Sequence, residues 1–235
     1  KAVNSTLYDA LKSGASDIHL ETTPAGLTVK YRIDGVLCHV GQIAGLDLAE
    51  QVISRLKVMS ELDIAERRIP QDLALRFLKQ VSYRNTATGK EYFGFGMANM
   101  SGGYEVRVAS SKYDFKSALK ARDITLIQGS SPERSAVNVF EGMLDFLSLL
   151  TLLGTKSLAG DAIIMHSLSS FQRTTDFIRG KGYERVNTFL DNDRAGQECT
   201  QRFIAELGVA VAPQSEYFAN YNDLNDALRA NIPAL

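Results

Sequence analysis

Val-Phe-Glu-Gly-Met-Leu-Asp at residues 139–145 and Phe-Leu-Asp-Asn-Asp-Arg-Ala-Gly at 189–196 decide how this chain is read. Each acidic cluster follows an apolar run, Ala136 to Phe140 in the first case and Val186 to Leu190 in the second. Short apolar runs of this kind predict buried strands. Acids at the end of such a strand fall on the carboxyl edge of a sheet, where open α/β folds hold ligands. Glu141, Asp191 and Asp193 are therefore expected to converge on a hard divalent cation through oxygen alone. Magnesium is the natural ion, with manganese as its substitute. A cation held this way serves phosphoryl and phosphodiester chemistry.

Outward from these motifs, apolar strands and helices take turns from Asp123 onward. Strands are predicted at Ile124 to Ile127, Ala136 to Phe140, Ala162 to Met165, Val186 to Leu190 and Val209 to Ala212. Helices are predicted at Leu144 to Leu153, Ser169 to Lys181, Ala195 to Leu207 and Leu224 to Ala230. That order implies a mostly parallel sheet with helices on both faces. Residues 78–109 read as antiparallel strands, including Tyr92 to Met97 and Tyr104 to Ala109, with turns at Thr86 to Lys90 and Asn99 to Gly103. Nearer the start, residues 4–13 and Leu48 to Met59 carry helical periodicity. Asp17 to Leu20, Leu27 to Ile33 and Val36 to Val40 read as strands, the last two joined by the hairpin signal Asp34-Gly35. Pro70 closes this block. The fold class is α/β: a small α+β domain at 1–72, a basic antiparallel β lead-in at 73–123, and the mostly parallel α/β domain at 124–235.

Hydrophobic residues make up 45% and charged residues 23% of the 235, the balance of a soluble globular protein. The longest apolar run, Phe146 to Leu153, is far too short to span a bilayer. No basic-then-apolar leader opens the chain, so the expected location is cytoplasmic. The first residue is Lys1 rather than Met, which reads as a piece of a longer polypeptide. Cys38 and Cys199 lack metal-type spacing and read as small hydrophobes in a reducing compartment. The net charge of −1 hides a gradient: residues 73–123 carry nine Lys/Arg against four Asp/Glu, and residues 124–235 carry nine against thirteen. A basic segment beside an acidic metal site suits an enzyme of nucleic acid, the one attracting phosphate and the other binding the ion.

Residues 14–72 contain Gly-Ala-Ser-Asp-Ile-His-Leu-Glu (14–21), Tyr-Arg-Ile-Asp-Gly-Val-Leu (31–37) and the run from Ser54 to Asp72 ending in Glu-Arg-Arg-Ile-Pro-Gln-Asp. These resemble the domain that precedes the motor in type II secretion and type IV pilus ATPases. The resemblance implies packing against a hexameric motor, secretion-system components as partners, and arginines near nucleotide phosphates; the matching positions are Arg32, Arg67 and Arg68. Where that family continues with a glycine and a phosphate-binding loop, Leu73 follows here. No G-x-x-x-x-G-K-[ST] occurs, so ATP hydrolysis by that route is not expected. His19, between Asp17 and Glu21, reads as a hydrogen-bonded structural histidine.

Residues 124–235 resemble a Toprim domain of primase-like type. The residues that carry this are Glu141-Gly142 with Asp145, then Asp191-Asn192-Asp193-Arg194-Ala195-Gly196, then Asn222-Asp223-Leu224-Asn225-Asp226. The lead-in, with Gly94-Phe95-Gly96 and Ser101-Gly102-Gly103-Tyr104-Glu105, is similar to the segment before Toprim in primase-like proteins of mobile elements. The resemblance implies nucleotidyl transfer or phosphodiester chemistry on single-stranded DNA or RNA, nucleotides as partners, and a general acid/base role for Glu141. Asp145, one turn into its helix, suits a further metal ligand. Asp223 and Asp226 are secondary candidates. Asp193 is also placed to cap the helix starting near Ala195. Arg194 is read as a phosphate contact or as a neutraliser of the acids.

Tyr83, Tyr92, Phe93, Phe95 and Tyr104 interleave with Arg84, Lys90 and Arg107. This suits stacking on single-strand bases with the cations on phosphate, or simply the packed face of a sheet. The change of resemblance between Asp72 and Leu73 reads as an artificial fusion. The alternative function is a non-catalytic assembly domain of a secretion ATPase without its motor.

Overall fold

The computed structural model describes residues 2–59, 67–108, 115–133 and 135–230. Residues 60–66 of the third secretion-type motif, the Met59 side chain and Ala109 lie outside the described residues. Two compact units divide the chain. The first takes residues 1–62, 80–95 and 107–116; the second takes 63–79, 96–106 and 117–235.

In the first unit, helix α1 (Ala2–Lys12) is followed by the antiparallel sheet β1 (Asp17–Thr23), β2 (Gly26–Ile33) and β3 (Val36–Ala44), then helix α2 (Leu46–Met59). Asp34 and Gly35 turn β2 into β3 with positive φ at both positions, as a tight hairpin requires. The alternation seen in β2 works as expected: Leu27 packs with Ala49 and Val52 of α2, and Val29 and Tyr31 pack with Ala10 of α1. Tyr31 donates its hydroxyl to the Thr6 carbonyl at 2.8 Å, which settles a half-buried polar tip.

A four-stranded sheet joins β4 (Leu78–Arg84), β5 (Glu91–Ala98), β6 (Tyr104–Val108) and β7 (Phe115–Leu119) in sequence order. Pro70 belongs to the second unit. It stands as the N-cap of helix α3 (Gln71–Phe77), whose Leu73 and Ala74 are buried in the second unit.

The core of the second unit is the five-stranded sheet β12-β11-β9-β10-β8. Its strands are β8 (Thr125–Ile127), β9 (Ala136–Phe140), β10 (Asp161–Ile164), β11 (Arg185–Phe189) and β12 (Ala210–Pro213). All neighbours run parallel except β8 against β10. Helices α4 (Met143–Leu152), α5 (Phe171–Lys181), α6 (Arg194–Leu207) and α7 (Leu224–Arg229) alternate with them. Val137, Val139, Val186 and Leu190 pack with Ile178 of α5 and with Cys199 and Phe203 of α6. Phe140 stacks on Phe189 and meets Phe146 of α4 edge-on, so α4 covers the opposite face. The expected mostly parallel sheet with helices on both faces is what forms.

Candidate metal centre

From β9 the chain crosses to β10 on one side, then returns to β11 on the other side of β9. The carboxyl ends of β9 and β11 therefore flank the point where strand order reverses, and ligands of open α/β sheets bind in that crevice. Phe140 and Phe189 stand opposite each other in parallel register, and the Glu141 amide donates to the Phe189 carbonyl at 3.4 Å. The two acidic motifs leave the sheet side by side.

Three carboxylates meet here. One oxygen from each of Asp145, Asp191 and Asp223 lies within 4.8 Å of the others. Asp145 is buried in the first turn of α4, with Gly142 as that helix's N-cap. Asp191 lies just past β11. Asp223 caps α7, its Oδ1 accepting the Asp226 amide at 2.7 Å. Three oxygen donors of like charge repel one another unless a cation or protons come between them, and an all-oxygen set suits a hard divalent ion. The donor chemistry and spacing fit that ion.

Asparagines bring the third acid into place. The Asn192 amide nitrogen donates to the Phe218 carbonyl at 3.0 Å and the Tyr221 carbonyl at 2.8 Å. Its backbone N–H donates to the Asn222 carbonyl at 2.7 Å. Gln197 Nε2 donates to the Asn192 carbonyl at 2.8 Å. The loop before α7 is thereby tied to the loop after β11. Gly196 allows α6 to start against the Asp191 backbone: a Cβ there would stand 3.0 Å from the Asp191 carbonyl carbon and closer still to its oxygen.

Among the residues singled out from the sequence, Asp145 and Asp191 fall in the carboxylate group. Glu141 and Asp193 are not members of it. Asp193 is the N-cap of α6, its Oδ1 accepting the Gly196 amide at 2.8 Å. Glu141 has one buried carboxylate oxygen. Burial pushes the Cys199 thiol up to about 11, with Arg202 opposing that rise and Glu141 adding to it. Arg194 is 93% exposed and pairs with Glu198 at 2.7 Å.

Arg84 pairs with Glu91 at 3.2 Å and Lys90 with Asp47 at 3.2 Å, both in the first unit, where half-buried Arg107 also lies. Asp47, by hydrogen bond and charge, pushes the Lys90 pKa up. Tyr83 stacks on Tyr92 with ring centres 5.4 Å apart, and Phe93 and Phe95 are buried. Arg32 bonds Asp17 at 3.3 Å and the Gly35 carbonyl at 3.2 Å, while His19 contacts Asp17 at 2.7 Å. Arg68 is exposed with a left-handed backbone. Arg67 belongs to the second unit and donates to Asn225 Oδ1 at 3.3 Å.

Reading the sequence left Asn192 and Asn225 without roles and kept Asp223 secondary. The available signal was Asn222-Asp223 directly before Leu224, an acid ahead of a short helix, a pattern that marks a cap. Asp191 also lines a cleft of about 730 Å³, together with Asn192, Gln197, Thr188 and Pro213. Among the described residues no helix is long and apolar enough to cross a membrane.

Comparison with known proteins finds matches to three stretches of the chain. Residues 138–228 match the Toprim-like family, residues 1–86 match the type II/IV secretion system protein family, and residues 64–120 match a domain of unknown function. The type II secretion system ATPase E of Vibrio cholerae is 49% identical over 72 residues, which are 31% of this chain and 14% of that protein. A type IV pilus assembly ATPase of Acinetobacter baylyi is 47% identical over 72 residues, 31% of this chain and 12% of that protein. The chain thus spans only about a seventh of the length of the curated relatives it matches. The crystal structure of the primase fragment of the bacteriophage T7 primase-helicase protein superposes with a TM-score of 0.51 at 16% identity, over 70% of this chain and 67% of that one. That likeness is one of fold.

Proposed function

We propose that the second unit is a magnesium-dependent module that carries out phosphoryl or phosphodiester chemistry on nucleic acid, in the manner of a primase-like nucleotidyltransferase. The observation that carries this reading is the meeting of Asp145, Asp191 and Asp223 at the strand-order reversal of a Toprim-like sheet. These three would hold the ion. Magnesium, when bound, supplies a Lewis acid that offsets charge on a phosphoryl group. The chain's own contribution is to hold three carboxylates from three different elements at fixed spacing. Glu141, which directly follows β9 beside the group, is the residue we assign to proton transfer. The cleft beside Asp191 gives a polynucleotide or nucleotide room to approach. The partners that go with this reading are single-stranded DNA or RNA and nucleotides, and its location is the cytoplasm.

Calorimetric titration of the whole chain with Mg²⁺ or Mn²⁺ tests the reading. Binding is expected for the unaltered protein and is expected to be lost in Asp191→Asn and Asp223→Asn. Asp193→Asn, which keeps a good helix cap, is expected to retain it. Absence of ion binding, or equal binding in Asp223→Asn, would sink the proposal. Salt-dependent binding to labelled single-stranded DNA then tests the substrate class.

A second reading covers residues 1–72 alone. Their 49% identity to a secretion ATPase favours an assembly role, with secretion-system components as partners. Binding to an inner-membrane secretion partner by the first unit, unaffected by Asp191→Asn, would support it.

A further inference from the structure

We propose that Asn225 is a positioning residue that sets the spacing between Asp145 and Asp223 by tying together the two helices that carry them. The inference rests on the metal-centre reading above. Asn225 is only 3% exposed, and both halves of its amide are engaged. Its Nδ2 donates to the Ser148 hydroxyl at 3.0 Å and to the Arg67 carbonyl at 3.1 Å. Its Oδ1 accepts from Arg67 Nη1 at 3.3 Å. Ser148 is fully buried on α4, three residues after Asp145 and so on the same side of that helix. Asn225 stands two residues after Asp223, in the first turn of α7. One side chain therefore links the helix of one carboxylate to the helix capped by another, with the Arg67 backbone as a third anchor.

The physical reason for such a tie is direction. The buried residues of α4 and α7 are mostly apolar, and apolar contact is non-directional. It holds two helices together without fixing how far one slides along the other. A metal site tolerates ligand distances only within about 0.2 Å. A buried amide bonded on both sides supplies the missing constraint, and a buried amide stripped of those partners would carry a desolvation penalty. The tie thus matters more to the ion than to the fold. Groups that orient metal ligands from outside typically change affinity by about tenfold to hundredfold when removed.

The test uses the full chain and Mn²⁺ alone, with affinity read by calorimetry and ligand symmetry by electron paramagnetic resonance. Asn225→Ala is expected to weaken Mn²⁺ binding by about tenfold or more and to broaden the resonance. Ser148→Ala, which removes one leg of the tie, should fall between it and the unaltered protein. Ile178→Val, a core change on α5, lowers stability without touching the tie and should leave affinity unchanged. Folded Asn225→Ala with unaltered affinity overturns the proposal. Where Asn225→Ala fails to fold, unaltered affinity in Ser148→Ala overturns it. An unaltered protein that binds no Mn²⁺ brings down the metal-centre reading itself. Binding that Asp191→Asn abolishes and Asn225→Ala leaves intact brings down the positioning role alone.

Discussion

A methyl group on Gly196 would fall inside the carbonyl oxygen of Asp191, so this glycine is required by close approach rather than by backbone conformation. Gly196 lies in the first turn of α6, and the backbone it approaches carries a carboxylate of the candidate centre. Gly196→Ala must push the helix away from the strand end or displace Asp191. Overpacking of this kind costs about 1–3 kcal/mol. Denaturant unfolding should register that loss, and Mn²⁺ affinity should fall with it. Gly180 on α5 offers the contrast: nothing lies within 4 Å of its added Cβ. Gly180→Ala is expected to stabilise by about 1 kcal/mol through helix propensity. A stable Gly196→Ala that binds Mn²⁺ normally would show that Asp191 needs no such contact.

Asp123 shows how elements of the second unit are pinned together. It precedes β8 and accepts from Arg173 of α5 at 3.0 Å, from the Ser101 hydroxyl at 2.8 Å and from the Ile124 amide at 2.8 Å. Burial pushes its pKa up, but the Arg173, Ser101 and Ile124 hydrogen bonds with the Arg173 charge pull it net below the ordinary carboxylate value. A native pKa below the unfolded one means that the unfolded chain binds the proton more tightly. The stabilisation is therefore complete above the unfolded value, about 3.9. It disappears as pH falls through the lower native value. Asp123→Asn is expected to lower stability by about 1–2 kcal/mol near pH 7, the half-exposed Arg173 limiting the effect. Thermal unfolding across pH 2–7, at about one-unit steps, should show the gap between the two proteins closing at the acid end. A gap independent of pH would mean that the charge on Asp123 contributes nothing.

At the scale of the whole molecule, the informative stretch runs from Arg67 to Leu78. All of it lies in the secretion-type match, yet Ile69, Leu73, Ala74 and Leu78 are buried and Arg67 bonds Asn225. Phe77 meets Phe146 edge-on at 5.1 Å, and Asp72 pairs with Lys156 at 2.6 Å. All of these belong to the second unit. A chain starting at residue 67 is expected to unfold cooperatively and to keep Mn²⁺ affinity. One starting at residue 79 is expected to lose at least about 3 kcal/mol of buried apolar side chains, together with the Arg67 anchor. Identical unfolding midpoints and affinities would place the stretch outside the working unit. The strands and helices of residues 136–207 were legible because apolar periodicity is a local property that backbone geometry imposes on any buried strand or helix. Ala136 to Phe140 ends where expected, and Glu141 and Asp191 stand at the strand ends that the motifs implied. Helix α3 was not legible, since Pro70 reads equally as a stop or as a start, and only burial of Leu73 and Ala74 decides between them. Nor was the membership of the carboxylate group. Asp193 and Asp223 are both acids beside a helix start, and local pattern treats them alike. Which of them faces Asp145 depends on the loop that Asn192 draws across the sheet edge, a contact between residues distant in sequence whose geometry exists only once the chain has folded.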